Sequence, residues 1–211
     1  MIRLACADDL DAVDAIYDAI LTLEEARPVS FTNWQRGKYP TLDHARRAME
    51  EHTLWLAGED GKYYGTFILN GIQLPEYAQI PWQFQAPPDQ VAVIHTLMVH
   101  PDWSGRGKGR ELVAFCEEES RRQGKSVIRL DTPEGNTPAN LMYARLGYRL
   151  AGAAEFFFQG FIPVSYTHLP APPPGPCLES ASPGGGPRSG RWPRPPQTYG
   201  PHSRRPFCPG P

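Results

Sequence analysis

The chain has 211 residues, 40% of them hydrophobic, and a formal charge of −2 at pH 7. That balance excludes a general nucleic-acid binder, which would need a net basic surface, and no apolar run approaches the 18 residues a membrane span requires. Four cysteines at 6, 116, 177 and 208 have neither metal-ligand spacing nor the density of a disulfide framework. No charged-then-apolar leader opens the sequence, so a cytoplasmic protein with no metal, membrane or nucleic-acid partner is the expectation.

Ile2 to Leu4 is a short strand candidate, and Asp8 and Asp9 stand where a helix would begin. Leu10, Val13, Ile16, Tyr17 and Ile20 then recur at helical spacing, which predicts an amphipathic helix to about residue 23. Pro28 to Pro40 is irregular, with Phe31, Trp34 and Tyr39 spaced through polar residues, and a second helix is predicted over 42–52. Leu54–Ala57 and Tyr63–Leu69 straddle the turn signal Glu59-Asp-Gly61 and form a predicted antiparallel hairpin. Residues 70–90 hold Gly71, Pro75, Pro81, Pro87 and Pro88 together with Tyr77, Trp82 and Phe84. A loop of that length is commonly functional, with packing of its aromatics against the core as the alternative.

Val91 to Val99 is the strongest strand of the sequence. Past Pro101 a helix is predicted from Gly107 to Arg122, with Leu112, Val113 and Cys116 on its apolar side and Glu117, Glu118 and Glu119 as a solvated face. Val127–Leu130 is the next strand, Thr137–Leu146 a helix closed by Gly147, and Phe156–Ile162 the last strand candidate. Helices alternate with both hairpins and crossovers. This predicts an α/β domain of three layers, a mixed central sheet with helices on both faces.

Composition changes abruptly near residue 164. Residues 164–211 include 14 of the 24 prolines and 7 glycines, and five arginines against Glu179 give this stretch +4, leaving −6 for residues 1–163. Such a segment offers too little apolar area to offset the entropy of ordering it. The expected organisation is one folded domain over 1–163 and a Pro/Gly/Arg-rich disordered tail over 164–211. Val164-Ser-Tyr-Thr-His-Leu169 resembles translated adapter or vector sequence, which points to a non-native or frame-shifted end; a proline-rich recruitment tail is the alternative.

The stretch Leu97-Met-Val-His-Pro-Asp-Trp-Ser-Gly-Arg-Gly-Lys-Gly-Arg110 joins the strongest strand to a helix through glycines 105, 107 and 109. A glycine-rich turn entering a helix is an anion site in outline, because the first helical amides have no internal partner and the helix dipole adds positive potential. A plain tight turn is the alternative. A second stretch lies downstream, with Asn136, then Ala139, Tyr143 and the pair Gly147-Tyr148.

Together these two stretches resemble the GCN5-related N-acetyltransferase (GNAT) superfamily, and the likeness extends over essentially residues 1–163. The family's central motif is Gln or Arg, two residues, Gly, one residue, then Gly or Ala; Ser104-Gly-Arg-Gly107-Lys-Gly109 matches both glycines and replaces the leading side chain by Ser. The family's downstream Asn, Ala, Tyr and Gly-aromatic pair match at their spacing.

The resemblance implies an N-acetyltransferase that moves acetyl from acetyl-CoA to a primary amine of a small molecule or peptide within a ternary complex. A catalytically inactive acyl-CoA-binding module is the alternative. A nucleotide-binding protein is disfavoured, because Gly107-Lys108 lacks the phosphate-loop spacing. The amides of Ser104, Gly105, Arg106, Gly107, Lys108, Gly109 and Arg110 would hold the pyrophosphate, and Leu97, Met98 and Val99 would face the thioester. The family's Tyr, which protonates the leaving sulfur, maps to Tyr143. Many relatives carry a basic Glu where this chain has His95, a base in the useful titration range or else a buried hydrogen-bonded residue. Asn136 would bond across the strand splay or to the pantetheine arm. Glu24, at the end of the first helix, would border the acceptor site as an acidic rim. The family commonly dimerises, so a homodimer is also implied.

Overall fold

The computed structural model describes residues 1–153 and the backbone of the strand Pro163–His168. Its strands are β1 (Ile2–Leu4), β2 (Leu54–Glu59), β3 (Lys62–Asn70), β4 (Val91–Val99), β5 (Val127–Pro133), β6 (Arg149–Ala153) and β7 (Pro163–His168), in the spatial order β1-β2-β3-β4-β5-β7-β6. The helices are α1 (Leu10–Glu25), α2 (Leu42–Glu50), α3 (Lys108–Arg122) and α4 (Thr137–Arg145). Only the β4–β5 pair is parallel among these neighbours; the rest are antiparallel, so the sheet is mixed, as expected.

Sequence period sets the two faces. On α1 the stripe Val13, Ile16, Tyr17 and Leu21 is buried, and its first three members pack with Ala45 and Ala48 of α2 against Leu54, Leu56 and Met98. On α3, Leu112, Val113 and Cys116 have no exposed surface and pack with Tyr143 of α4 against Phe67, Ala92, Ile94, Ile128 and Leu130. Helices therefore cover both faces, giving the three-layer architecture. The stripe on α3 continues to Glu119, which is buried and held by Arg122 and Gln123, and Glu117 is only 17% exposed. Of the expected solvated face, Glu118 alone is well exposed, at 78%.

The loop over 70–90 packs on the sheet. Tyr77, Ile80 and Trp82 are buried with Val91 and Val93. At the other end of the sheet, β7 runs across the boundary expected at 163/164 and lies between β5 and β6. The strand expected over Phe156–Ile162 and the tail from 169 onward lie outside the described residues.

Two irregularities shape β4. First, β4 and β5 pair only through Val91–Val127, Ala92–Ile128 and Val93–Arg129, although both strands run on, so a gap opens beyond Val93. Second, Ile68 opposes His95 and Thr66 opposes Met98, which leaves Phe67 facing both Thr96 and Leu97. This bulge places Thr96 at φ +53°, a conformation a β-branched residue rarely adopts.

Candidate active site

A cavity of about 870 Å³ occupies the gap between β4 and β5. One end of it is the turn over 103–110; the other is walled by the end of α1, the loop before α2, and the 70–90 loop.

The turn end is built from main chain. Gly105 and Gly107 have φ of +73° and +76°, and an added Cβ at either would meet nothing within 4 Å. Their glycines answer a conformational need at an open surface. Gly109 differs: its Cβ would meet Met142 Sδ at 3.0 Å, so its small size serves the close packing of α3 on α4. Among the described residues, the amides of 105 to 110 donate to no protein acceptor. They converge at the N-terminus of a 15-residue helix, the arrangement that holds a phosphate. The side chain of Lys108 turns away from this cradle. Its Nζ pairs with Glu111 at 2.9 Å and Glu59 at 3.1 Å and sits 4.5 Å from the Tyr64 ring centroid. Ser104, Arg106 and Arg110 are exposed, and Arg106 lies over the Trp103 ring. Leu97, Met98 and Val99 line the cavity wall between the turn and its deeper part.

The deeper end is built from side chains. Tyr143 of α4 is 6% exposed and lines the cavity. Burial raises its hydroxyl above the ordinary tyrosine range, with Cys116 and Asp131 adding to the effect, so the phenol stays protonated at neutral pH. Asp131 of β5 also lines the cavity, and its Oδ1 accepts a 2.6 Å hydrogen bond from the Tyr77 hydroxyl. Burial raises this carboxyl above the usual range; the Tyr77 hydrogen bond opposes the rise and nearby Glu76 adds to it.

His95 is in the same wall, but its ring is engaged. Nε2 lies 3.1 Å from both Asn70 Oδ1 and the Ile72 carbonyl, two acceptors, which assigns the proton to Nε2. Burial pulls its pKa down to about 4, against a smaller upward effect of the Ile72 bond.

Glu24 lines the cavity, but its carboxylate is engaged by the protein. It occupies the position where the α1 stripe continues, and its Oε2 accepts from the Ser30 and Thr32 hydroxyls and from the amides of Phe31 and Thr32. Its Oε1 pairs with Arg27 at 2.9 Å. Burial works against ionisation, yet these hydrogen bonds prevail and hold the carboxyl below its ordinary value. Asn136 is likewise engaged: it caps α4 through Ala139 N at 3.3 Å, and its Nδ2 donates to Thr132 Oγ1 at 3.1 Å. It shapes the β5–α4 turn and also lines the cavity. His100 similarly caps its own short turn, its Nδ1 accepting from Asp102 N.

The model of the acetyltransferase (GNAT) family matches residues 18–148. The chain belongs to that family. An uncharacterized N-acetyltransferase of Methanocaldococcus jannaschii is 30% identical over 95 residues, 44% of this chain and 42% of its own length. A streptothricin acetyltransferase of Escherichia coli is 28% identical over 101 residues, 48% of this chain and 55% of its own. The chain thus spans about half the length of the curated relatives it matches. Among solved structures, a putative acetyltransferase of Salmonella typhimurium, determined with its cofactor acetyl-CoA, superposes with a TM-score of 0.58 at 19% identity over 84% of this chain and 98% of that one. A GNAT-family acetyltransferase of Streptococcus agalactiae reaches 0.63 at 19% identity over 80% and 94%. At such identities the likeness is one of fold.

Within this GNAT chain, motif reading names Tyr143 and the glycine turn, which line the cavity, and passes over Asp131, which lines it too. The available signal is alternation: Val127, Arg129 and Asp131 share one face of β5. Two charged residues on one face of a central strand need partners, and a buried carboxylate beside a gap is a candidate for chemistry.

Proposed function

We propose that this GNAT chain transfers the acetyl group of acetyl-CoA directly to a primary amine of a small molecule or peptide, with Asp131 as proton acceptor and Tyr143 as proton donor. The observation that carries the reading is the pairing of a cavity-lining carboxylate with a protonated buried phenol beyond a cradle of unpartnered amides. Acetyl-CoA supplies the thioester whose carbonyl carbon the amine attacks and whose C–S bond breaks. The amides of 105 to 110 suit its pyrophosphate, and the Salmonella relative determined with acetyl-CoA supports that assignment.

Each side chain then has a defined task. Asp131 attracts the ammonium form of the acceptor and takes the proton that must leave before nitrogen can attack. Tyr143 gives its proton to the departing sulfur, and exchange with solvent returns Asp131 and Tyr143 to their starting states. His95, expected as the base, is a weaker choice: a neutral imidazole takes a proton but offers no charge to draw an ammonium in, and its Nε2 is already bonded. A cytoplasmic setting and a homodimer remain part of the proposal on the family's precedent.

The test is an acceptor panel of amino acids, polyamines, peptides and aminoglycoside-type antibiotics, streptothricin included, assayed with acetyl-CoA by thiol release. At least one amine is expected to turn over, and Asp131→Asn should lower that rate by about 10²- to 10⁴-fold. Acetyl-CoA binding with no turnover of any amine would favour the inactive module. An Asp131→Asn enzyme at the parental rate would remove Asp131 from the mechanism.

A further inference from the structure

Arg129 and Asp131 lie two residues apart on β5 and face the same side of the sheet. A buried cation beside a half-buried carboxylate would ordinarily pair with it. Among the described residues these two form no ion pair. Arg129, 6% exposed, instead turns to the 70–90 loop: Nη1 donates to Gln73 Oε1, Nη2 donates to the Phe84 carbonyl at 3.3 Å, and the guanidinium lies 4.3 Å from the Trp82 ring centroid. The Trp82 indole in turn donates to the Tyr77 carbonyl at 2.8 Å, with the two rings 5.1 Å apart and inclined at 62°. Tyr77 returns to the strand through its hydroxyl, 2.6 Å from Asp131 Oδ1. The contacts close a ring from β5 through the loop and back to β5.

Simple packing accounts for the buried rings of Tyr77 and Trp82. It does not account for a phenol aimed at a cavity-lining carboxylate while the nearby guanidinium is held elsewhere. A cationic partner would neutralise the carboxylate's charge and depress its basicity strongly; a neutral hydroxyl fixes its orientation at a far smaller cost in basicity.

We propose that Tyr77 is a positioning residue for Asp131: it fixes Oδ1 so that Oδ2 is left for the acceptor amine, and the Arg129–Gln73–Trp82 clamp holds Tyr77 in place. The inference rests on the reading of Asp131 as proton acceptor. Among the described residues, the groups facing Asp131 are Glu76 and Tyr77 from the loop, Tyr39 from the segment before α2, Tyr143 from α4, and Arg129 beyond Tyr77 on its own strand. Of these, Tyr77 alone donates a hydrogen bond that favours the ionised carboxylate.

The test uses the full chain. Carbon-13 carboxyl NMR, with Asp131→Asn identifying the resonance, follows the titration of Asp131 and needs no acceptor. Tyr77→Phe keeps the ring against Trp82 and should move that titration upward by about one pH unit. Gln73→Ala, which loosens the clamp and leaves Tyr77 intact, should move it the same way by less, and serves if Tyr77→Phe does not fold. An unchanged titration in the folded variants overturns the proposal. In turnover of the best amine of the panel, the acid limb of kcat/KM should shift with the titration. Tyr77→Phe should cost about tenfold in a parental background and nothing further on Asp131→Asn. Full additivity would show that Tyr77 acts independently of Asp131. An Asp131→Asn enzyme at the parental rate would instead strike the underlying reading, which separates the two failures.

Discussion

The two ends of the cavity are made of different material. At the 103–110 turn, binding capacity lies in peptide amides and in glycine φ angles, and the Lys108 side chain is directed into the protein. At the deeper end, the polar groups presented to the cavity are side chains, those of Tyr143, Asp131 and Tyr39, with Tyr77 bonded to Asp131 from the 70–90 loop. A main-chain site tolerates exchange of side chains that keep the backbone path. A side-chain site tolerates changes of path that keep the end groups in place. Substitutions should therefore separate binding from chemistry along the length of one cavity.

The largest effect among tests of this contrast is expected at the side-chain end. Tyr143→Phe retains the ring and its packing beside Tyr148, so acetyl-CoA affinity and melting temperature should hold. The single-turnover acetyl transfer rate should fall by about 10- to 10³-fold. A parental chemical rate in rapid-quench experiments would return Tyr143 to a packing role. Next is Gly107→Val at the main-chain end, where a β-branched residue is strained at φ +76°. Calorimetry should show at least about tenfold weaker CoA binding, from the loss of preorganised amides. Unchanged affinity in a folded variant would mean that the turn does not grip the pyrophosphate.

The smallest expected effect concerns His95, and it is one of stability. Its folded pKa of about 4 lies below the ordinary value of 6.5, so the unfolded chain binds a proton that the folded chain refuses between those values. Stability contributed by neutral His95 is complete above pH 6.5 and falls as pH drops toward 4. His95→Gln should lose less stability than the parent over that window in urea titrations. Its acid limb of turnover should match the parent's, since His95 stays uncharged from pH 6 to 9. A displaced limb would restore His95 to the proton path.

How much of this was legible follows from the same contrast. A backbone site needs glycines at fixed offsets, and those letters stand in the sequence at 105 and 107. The strands β2 to β5 and the helices α1 to α4 were readable too, because each carries an apolar period of 2 or 3.6 over enough residues. The short strand β6 (Arg149–Ala153) lacked that period and was missed. Glu24 and Glu119 show the opposite error. Both sit on the buried stripe of their helices, but on their charge Glu119 was assigned to a solvated face and Glu24 to an acidic rim. Each is retained inside by several donors. The assembly of Asp131 with Tyr77 was out of reach, since the partners are 54 positions apart and meet only through the packing of the 70–90 loop.

The extra residue in β4 has a consequence for how one strand can serve two purposes. Before it, Ala92 and Ile94 point toward α3 while Val91 and Val93 point to the opposite side. After it the parity is inverted, with Leu97 and Val99 toward α3 and Met98 toward α1 and α2. Inversion of an alternating sequence requires one place where two neighbours share a side, and here those neighbours are His95 and Thr96. Consecutive side chains thus reach the same cavity, His95 meeting Asn70 and Thr96 meeting the Tyr39 hydroxyl at 2.6 Å. A regular strand would set the two on opposite faces of the sheet. Deleting one of these two residues would therefore restore plain alternation and leave Leu97 and Val99 toward α3; straightening the bulge with both residues kept is what would turn the second half of the strand inside out.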